Sequence, residues 1–274
     1  IEALPAIIYT VMMFAIPESP RWLITAKNNI EAAKQVFRSL YDNEGDIAEQ
    51  VNLIVNSQKS TDDAESIFSK KYGIPLSLAF FIAFFNQFSG INAILYYANR
   101  IFAEAGLAEQ AGALGSIGLG ITNFVFTLLG MFLIDRLGRK QLLYIGSVGY
   151  IVSLSIVSLC FYNDWSGMIV PISLFAFIAS HAIGQGAVIW VFISEIFPNH
   201  LRSSGQAFGS SVHWVLAAII PSLVPILFNS IGAVTVFAIF AFMMLLQLVW
   251  IKMYVPETKG KSLEAVSESL TNSN

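Results

Sequence analysis

Charged residues are scarce in this sequence, and cysteine is almost absent. Asp, Glu, Lys and Arg make up 12% of the 274 residues, whereas a soluble domain carries about 25%. The single cysteine, Cys160, lies in an apolar run, which excludes a disulfide framework. The net charge is −3, and the charged residues are confined to the polar loops. These shortages exclude an ordinary soluble domain. A net charge carried by loops gives no indication of a nucleic-acid partner, and we expect none.

Clusters of side chains suited to metal binding or acid–base catalysis are also lacking. His181 and His213 are well separated in the sequence, and Cys160 is isolated from both. Catalysis or metal ligation needs several such groups at one place. We therefore expect no enzyme activity, no metal and no cofactor.

Long apolar segments dominate the rest of the sequence. The apolar content is 55%, and the mean hydropathy is +0.66. A membrane-spanning helix needs about 20 predominantly apolar residues. Six such segments cover approximately residues 74–98, 112–134, 141–162, 169–193, 205–228 and 232–254. We therefore predict an all-α polytopic membrane protein, in which residues 74–254 form a six-helix bundle in the lipid bilayer.

Two stretches precede this bundle. Residues 1–16 are apolar but too short to span, and they begin with Ile rather than Met, so we expect them to end a preceding transmembrane helix. Residues 17–73 are mostly polar and read as a helical insert. Within it, Ser19 followed by Pro20 is typical of a helix start, and apolar residues recur at helical spacing over residues 30–40.

The basic residues predict the orientation in the membrane. Fourteen of the 15 Lys and Arg residues fall on one side of the predicted spans, and only Arg100 falls on the other. Basic loops stay in the cytoplasm. We therefore place the insert at 17–73 and the polar tail at 255–274 in the cytoplasm, and the protein in the plasma membrane.

A short internal sequence similarity suggests a duplicated unit. Residues 14–19, FAIPES, resemble residues 253–258, MYVPET, and both follow an apolar segment on the predicted cytoplasmic side. They lie six spans apart, as the ends of two repeated six-helix units would.

Residues 84–97, FFNQFSGINAILYY, place polar groups inside an apolar segment. Unsatisfied amides in hydrocarbon cost several kcal/mol, so Asn86, Gln87 and Asn92 must face protein, water or a polar solute. Gly90 allows the helix to loosen, which brings Gln87 and Asn92 toward one face. Because amides both donate and accept hydrogen bonds, a neutral ligand rich in hydroxyl groups suits them. Contacts between helices are the alternative.

Five motifs occur in order along the chain. They are PESPRWL at 17–23, NQFSGINAILYY at 86–97, DRLGRK at 135–140, SEIFPNHLR at 194–202 and PETKGKSLE at 256–264. Together they resemble the sugar porter family of the major facilitator superfamily. The resemblance implies a twelve-helix transporter, of which this chain is the C-terminal half with the end of the sixth helix. A neutral monosaccharide or polyol would bind between this half and an N-terminal half and be exposed alternately to either side.

The resemblance also implies which residues contact the sugar. These are Gln87, Asn92, Asn86, Asn123, Trp190, His213, Trp214 and Gln185. Asn86 stands where the family usually has Gln, and His213 stands where it commonly has an amide. Packing between helices is the alternative for each residue.

Gate residues follow from the same resemblance. Tyr96 and Tyr97 match aromatic residues near the outer gate, with an aromatic belt at the membrane interface as the alternative. Gly184 and Gly186 would permit a helix to bend. Charged residues would bridge helix ends on the cytoplasmic side, with ordinary loop charge as the alternative: Asp135, Arg139, Glu195, Arg202, Glu18, Arg21 and Glu257.

Substrate identity and proton coupling stay open. The middle of each span lacks Asp, Glu and Lys, which are the usual proton carriers in membranes. A proton-driven transporter would carry that group in the N-terminal half or use His213 or His181. A sugar receptor of the same fold and a membrane-embedded enzyme are the rival functions.

Overall fold

The computed structural model describes residues 3–59, 66–261 and 263–271, and the regular structure in these ranges is helical. The predicted all-α architecture is therefore confirmed. The chain divides into two units, residues 1–65 and 66–274. The predicted four-part division of the chain stays a prediction.

The first unit contains helices α1 (Ala3–Met13), α2 (Pro20–Thr25), α3 (Ile30–Phe37) and α4 (Glu44–Lys59) in its described residues. Buried side chains from α2, α3 and α4 form a small core of Leu23, Ile24, Ala33, Phe37, Ile47, Val51 and Ile54. The helix predicted at Pro20 begins there, and the one predicted over 30–40 ends at Phe37. The helical spacing of the apolar residues thus builds this core.

Asn29 caps α3, and its loss is expected to loosen the start of that helix. Its Oδ1 accepts a hydrogen bond from the Ala32 amide at 3.1 Å. Replacing a capping Asn with alanine costs about 1 kcal/mol, so Asn29→Ala should speed amide hydrogen exchange in the first turn of α3 about fivefold. Ser19→Ala is the matched control, because Ser19 precedes α2 without a side-chain capping bond. Equal effects of the two changes would contradict the role of the cap.

The second unit holds the long apolar helices. In its described residues they are a 3-10 turn (Lys70–Tyr72), α5 (Gly73–Phe88), α6 (Ile91–Glu104), α7 (Ala111–Ala113), a π-helical turn (Leu114–Gly118), α8 (Leu119–Leu137), α9 (Arg139–Tyr162), α10 (Ile169–His181), a second π-helical turn (Ala182–Gly186), α11 (Ala187–Ile196), α12 (Arg202–Tyr254) and α13 (Leu263–Thr271). Five helical runs of these described residues are long and apolar enough to cross a membrane.

Gly232 accounts for the difference between these five runs and the six predicted spans. The run α12 has 53 residues, which is far longer than one bilayer crossing requires. Gly232 breaks it with φ 79° and ψ 158°, a backbone conformation that is essentially restricted to glycine. The spans predicted at 205–228 and 232–254 lie in the two helices that meet at this break.

Close backbone contact fixes the second π-helical turn against α9. A Cβ atom placed on Gly184 would lie 2.9 Å from the Cα atom of Gly146. A larger residue at either position would therefore force the two helices apart. This contact fixes the segment that carries Gln185 and leads into Trp190.

Candidate functional site

The candidate site is built around a break between α5 and α6. Gly90 has φ 82°, a left-handed conformation that disfavours other residues. The Ser89 hydroxyl donates to the Asn86 carbonyl at 2.6 Å and accepts from the Ile91 amide at 3.3 Å. A Cβ atom on Gly90 would lie 2.5 Å from the ring of Phe240. The backbone conformation and the packing therefore both require glycine at this break.

Four side-chain amides form a continuous hydrogen-bonded chain across the break, which we call the amide chain (Asn92, Gln87, Asn86 and Gln185). Asn92 Nδ2 donates to Gln87 Oε1 at 3.0 Å, and Gln87 Nε2 donates to Asn86 Oδ1 at 3.1 Å. Asn86 Nδ2 then donates to Gln185 Oε1 at 3.4 Å. Every bond runs in the same direction, from Asn92 toward Gln185.

The amide chain ends at a buried donor. Gln185 is fully buried, and its Nε2 has no hydrogen-bond partner in the described part of the protein. A buried donor without an acceptor costs about 1–3 kcal/mol. This energy would be recovered by any hydrogen-bond acceptor that reaches Gln185 Nε2.

His213 of α12 joins the amide chain at its centre. Gln87 Nε2 lies 3.3 Å from His213 Nδ1 and 3.2 Å from His213 Nε2. The amide nitrogen is therefore within hydrogen-bond distance of both ring nitrogens. An amide N–H needs an acceptor, and a neutral ring offers one at its unprotonated nitrogen in either tautomer.

Two tryptophans flank His213. The ring centroids of Trp190 and Trp214 lie 5.0 Å and 5.1 Å from that of His213, and both rings meet it edge to face. Trp214 is 63% exposed, and Trp190 is 36% exposed. The result is an apolar, partly open rim beside the buried amides, which suits the C–H faces and hydroxyl groups of one small ligand.

The other sequence-predicted contacts lie outside this hydrogen-bonded group. The Asn123 side chain is exposed on α8. Tyr96 is 66% exposed, whereas Tyr97 is half-buried and packs against the core of the bundle. Gly186 is tightly placed, because a Cβ there would lie 3.1 Å from the His181 carbonyl oxygen.

An ion-pair cluster joins three helix ends at one end of the bundle. Arg139 Nη2 lies 2.6 Å from Glu195 Oε1, and Arg139 Nε donates to Glu195 Oε2 at 3.1 Å. This bidentate pair is mostly buried, with side-chain exposures of 11% for Arg139 and 16% for Glu195. Arg139 Nη1 also reaches Asp135 at 3.1 Å. The geometry provides a strong link between α9 and α11.

Glu257 adds a third connection at the start of α9. Its Oε1 accepts from the Arg139 amide and its Oε2 from the Lys140 amide, both at 3.0 Å. A carboxylate in this position satisfies helix N-terminal amides and complements the helix dipole. The carboxylate fills the space where a Cβ on Gly138 would lie, and Gly138 has φ 93°. The glycine of the DRLGRK motif thus admits the glutamate of the PETKGKSLE motif.

The remaining predicted gate residues lie in other surroundings. Arg202 donates to Asn199 Oδ1 at 2.6 Å, and Glu18 lies 3.4 Å from Lys27 in the first unit. Arg21 belongs to helix α2 of that unit. Their proposed place in the same network as Glu195 stays a prediction.

Sequence reasoning missed two contributors to these sites. Thr258 donates from Oγ1 to Glu195 Oε2 at 2.6 Å, although its neighbour Glu257 was singled out in the same motif. Phe240 packs directly on Gly90, and nothing in its apolar surroundings marks it. Long-range packing decides both contacts.

Comparison with solved structures defines the fold class. The proton:xylose symporter XylE, solved with bound 6-bromo-6-deoxy-D-glucose, matches with a TM-score of 0.85 and 28% identity, over 98% of this chain and 57% of XylE. An inward-open structure of XylE from E. coli matches with a TM-score of 0.69 over 98% of this chain and 55% of XylE, also at 28% identity. The fold is therefore that of a major facilitator transporter.

Sequence comparison identifies the family. The family described as "Sugar (and other) transporter" matches residues 1–270. The glucose transporter GlcP of Staphylococcus epidermidis is 33% identical over 98% of this chain and 61% of its own length. The arabinose-proton symporter of Bacillus subtilis is 33% identical over 96% of this chain and 57% of its own length.

The chain belongs to the sugar transporter family of the major facilitator superfamily, and it spans about 60% of the length of these relatives. The family and the fold are those of transporters rather than enzymes, as the sequence analysis predicted.

Proposed function

We propose that this chain forms the C-terminal, sugar-binding half of a transporter that moves a neutral monosaccharide or polyol by alternating access. The amide chain beside the rim of Trp190 and Trp214 is the observation that carries the proposal. Amides and an aromatic rim match the hydroxyl groups and C–H faces of a sugar. Relatives named for glucose and arabinose transport support the same substrate class.

In this proposal the exposed residues beside the amide chain face a second six-helix half. Asn123 and Trp214 then line the cavity between the halves, and Tyr96 and Tyr97 lie near its outer opening. The cluster of Arg139, Glu195 and Glu257 holds the cytoplasmic ends of the helices together while the cavity is open outward. The proposal also puts the protein in the plasma membrane with residues 17–73 and the tail in the cytoplasm, which the distribution of positive charges supports.

A transport assay tests the proposal. The full-length gene product is reconstituted in proteoliposomes, and uptake of radiolabelled glucose, xylose, arabinose and myo-inositol is measured. We expect saturable uptake of at least one of these compounds. Uptake of none of them, by protein that is folded and oriented in the vesicles, would contradict the proposal.

Gln87→Ala should reduce that uptake at least tenfold, because losing a hydrogen bond to a bound sugar costs about 1.5 kcal/mol or more. Gln247→Ala is the matched control. Gln247 is also a fully buried amide, but it donates to Ser147 Oγ at 2.9 Å within the helix packing. Equal losses in the two variants would assign Gln87 to packing rather than to sugar binding.

A further inference from the structure

His213 stands in an unusual position for a titratable side chain. It is half-buried in the membrane-spanning run α12, and it faces the amide nitrogen of Gln87 rather than a carboxylate. The family resemblance places an amide here, and amides do not titrate. His213 therefore gives the amide chain a property that four amides alone lack.

We propose that His213 is a proton-binding site and that its protonation reverses the direction of the amide chain. This inference deepens the proposed sugar site by adding a proton as a second ligand, and it rests on that proposed function. A neutral ring can accept from Gln87 Nε2 through its unprotonated nitrogen at the present distances of 3.2 and 3.3 Å. An imidazolium has two N–H donors and no acceptor, so the Gln87 amide must then turn its Oε1 toward the ring.

Rotation of Gln87 cannot occur alone. At present Asn86 Oδ1 accepts from Gln87 Nε2, and Asn92 Nδ2 donates to Gln87 Oε1. Rotation of Gln87 alone would bring two oxygens together at Asn86 and two N–H donors together at Asn92. Asn86 and Asn92 must therefore rotate with it. Asn86 in turn requires Gln185 to rotate, because their bond at 3.4 Å would otherwise join two oxygens.

The end of the amide chain favours this reversal. In the present direction Gln185 Nε2 is a buried donor without a partner among the described residues. After reversal Nε2 donates to Asn86, and the carbonyl oxygen of Gln185 takes the unpaired position. A carbonyl without a partner is tolerated better than an N–H. The free-energy cost of reversing the amide chain is therefore offset in part at Gln185, where the unpaired N–H is replaced by an unpaired carbonyl oxygen.

The carboxylates on the helices that pack against α12 are already paired, so they do not compete with His213 for a proton. Of the helices that pack against α12, α5 has no titratable side chain and α9 has no carboxylate. The carboxylates of α6 and α11, Glu104 and Glu195, are each paired with an arginine. His181 interacts electrostatically with His213 and bonds to the Tyr150 hydroxyl at 2.7 Å. Like charges repel, so a proton on one of these histidines disfavours a proton on the other.

The consequence for the sugar is a change in what Asn92 presents. Asn92 is only partly buried, and its Nδ2 is now held by Gln87 while its Oδ1 is left to accept. After reversal Oδ1 is held and Nδ2 is left to donate. Proton uptake from water at one nitrogen of His213 would thus change the hydrogen-bond pattern offered to a sugar hydroxyl.

Nuclear magnetic resonance of the full-length protein in lipid nanodiscs tests this coupling without any sugar. The His213 ring signals are assigned by their loss in His213→Gln, and the Gln87 side-chain signal by its loss in Gln87→Ala. Between pH 4.5 and 9 we expect the His213 ring to titrate and the Gln87 amide signal to move with the same midpoint. A His213 ring that does not titrate, or a Gln87 signal that ignores its titration, would overturn the inference.

The pH dependence of sugar uptake provides a second test. We expect uptake by the natural protein to change at least threefold across that midpoint and uptake by His213→Gln to be flat with pH. His200→Gln, which changes a histidine outside the amide chain, should keep the natural profile. An unchanged profile in His213→Gln would overturn the inference. Absence of any uptake with an intact coupled titration would instead contradict only the proposed function.

Discussion

Gly90→Ala is expected to destabilise the second unit by about 3 kcal/mol and to disrupt the amide chain. A left-handed backbone costs a non-glycine residue roughly 1–2 kcal/mol, and forcing a methyl group into a packed site costs roughly 1–3 kcal/mol more. Both terms apply, because φ is 82° and the new Cβ would lie 2.5 Å from the Phe240 ring. Thermal unfolding in nanodiscs measures the loss, and sugar uptake should fall with it.

Gly106→Ala separates the two terms. Gly106 has a similar φ of 84°, but a Cβ there would meet only Ser166, at an ordinary 3.4 Å. We therefore expect this control to lose only the backbone term and to keep transport. Equal destabilisation in the two variants would show that contact with Phe240 contributes nothing.

Glu195→Gln is expected to open the end of the bundle that carries the ion-pair cluster. The change removes the charge that pairs with the mostly buried Arg139 and weakens the hydrogen bond from Thr258. Breaking a fully buried pair costs about 3–5 kcal/mol, so we expect about 2 kcal/mol for this partly exposed pair. In the full-length transporter that shift favours the inward-open state by roughly thirtyfold.

Cysteine accessibility measures this shift. Labelling from the cytoplasmic side should rise and labelling from the outside should fall in Glu195→Gln. Glu104→Gln is the control, since the Arg100–Glu104 pair at 2.8 Å is about 40% exposed on both partners and exposed pairs contribute less than about 1 kcal/mol. Unchanged labelling from both sides in Glu195→Gln would contradict the gating role.

The apolar segments made most of the fold predictable. Hydropathy over 20-residue windows locates spanning helices because the bilayer accepts few other structures. The ends of the helices were harder to predict from the sequence. Gly232 divides α12 by a backbone conformation that the sequence permits but does not require, and the π-helical turn Ala182–Gly186 depends on packing against α9.

The residues of the candidate site could be predicted from the sequence, but the hydrogen bonds between them could not. An apolar segment with three amides indicates a polar partner, and Gly90 indicates where the helix is interrupted. The hydrogen bonds run in order from Asn92 to Gln185, and His213 contacts Gln87. These contacts depend on the packing of α5 against α12 and α11. Sequence spacing does not encode such contacts between distant segments.

The most direct test of the account is a cryo-electron microscopy structure of the full-length protein with a transported sugar bound. We expect sugar hydroxyls within about 3.2 Å of the amides of Gln87 and Asn92, with the sugar ring beside Trp190. A sugar bound elsewhere, with the bonds from Asn92 to Gln87 and from Gln87 to Asn86 unchanged, would assign the amide chain to helix packing and contradict the account.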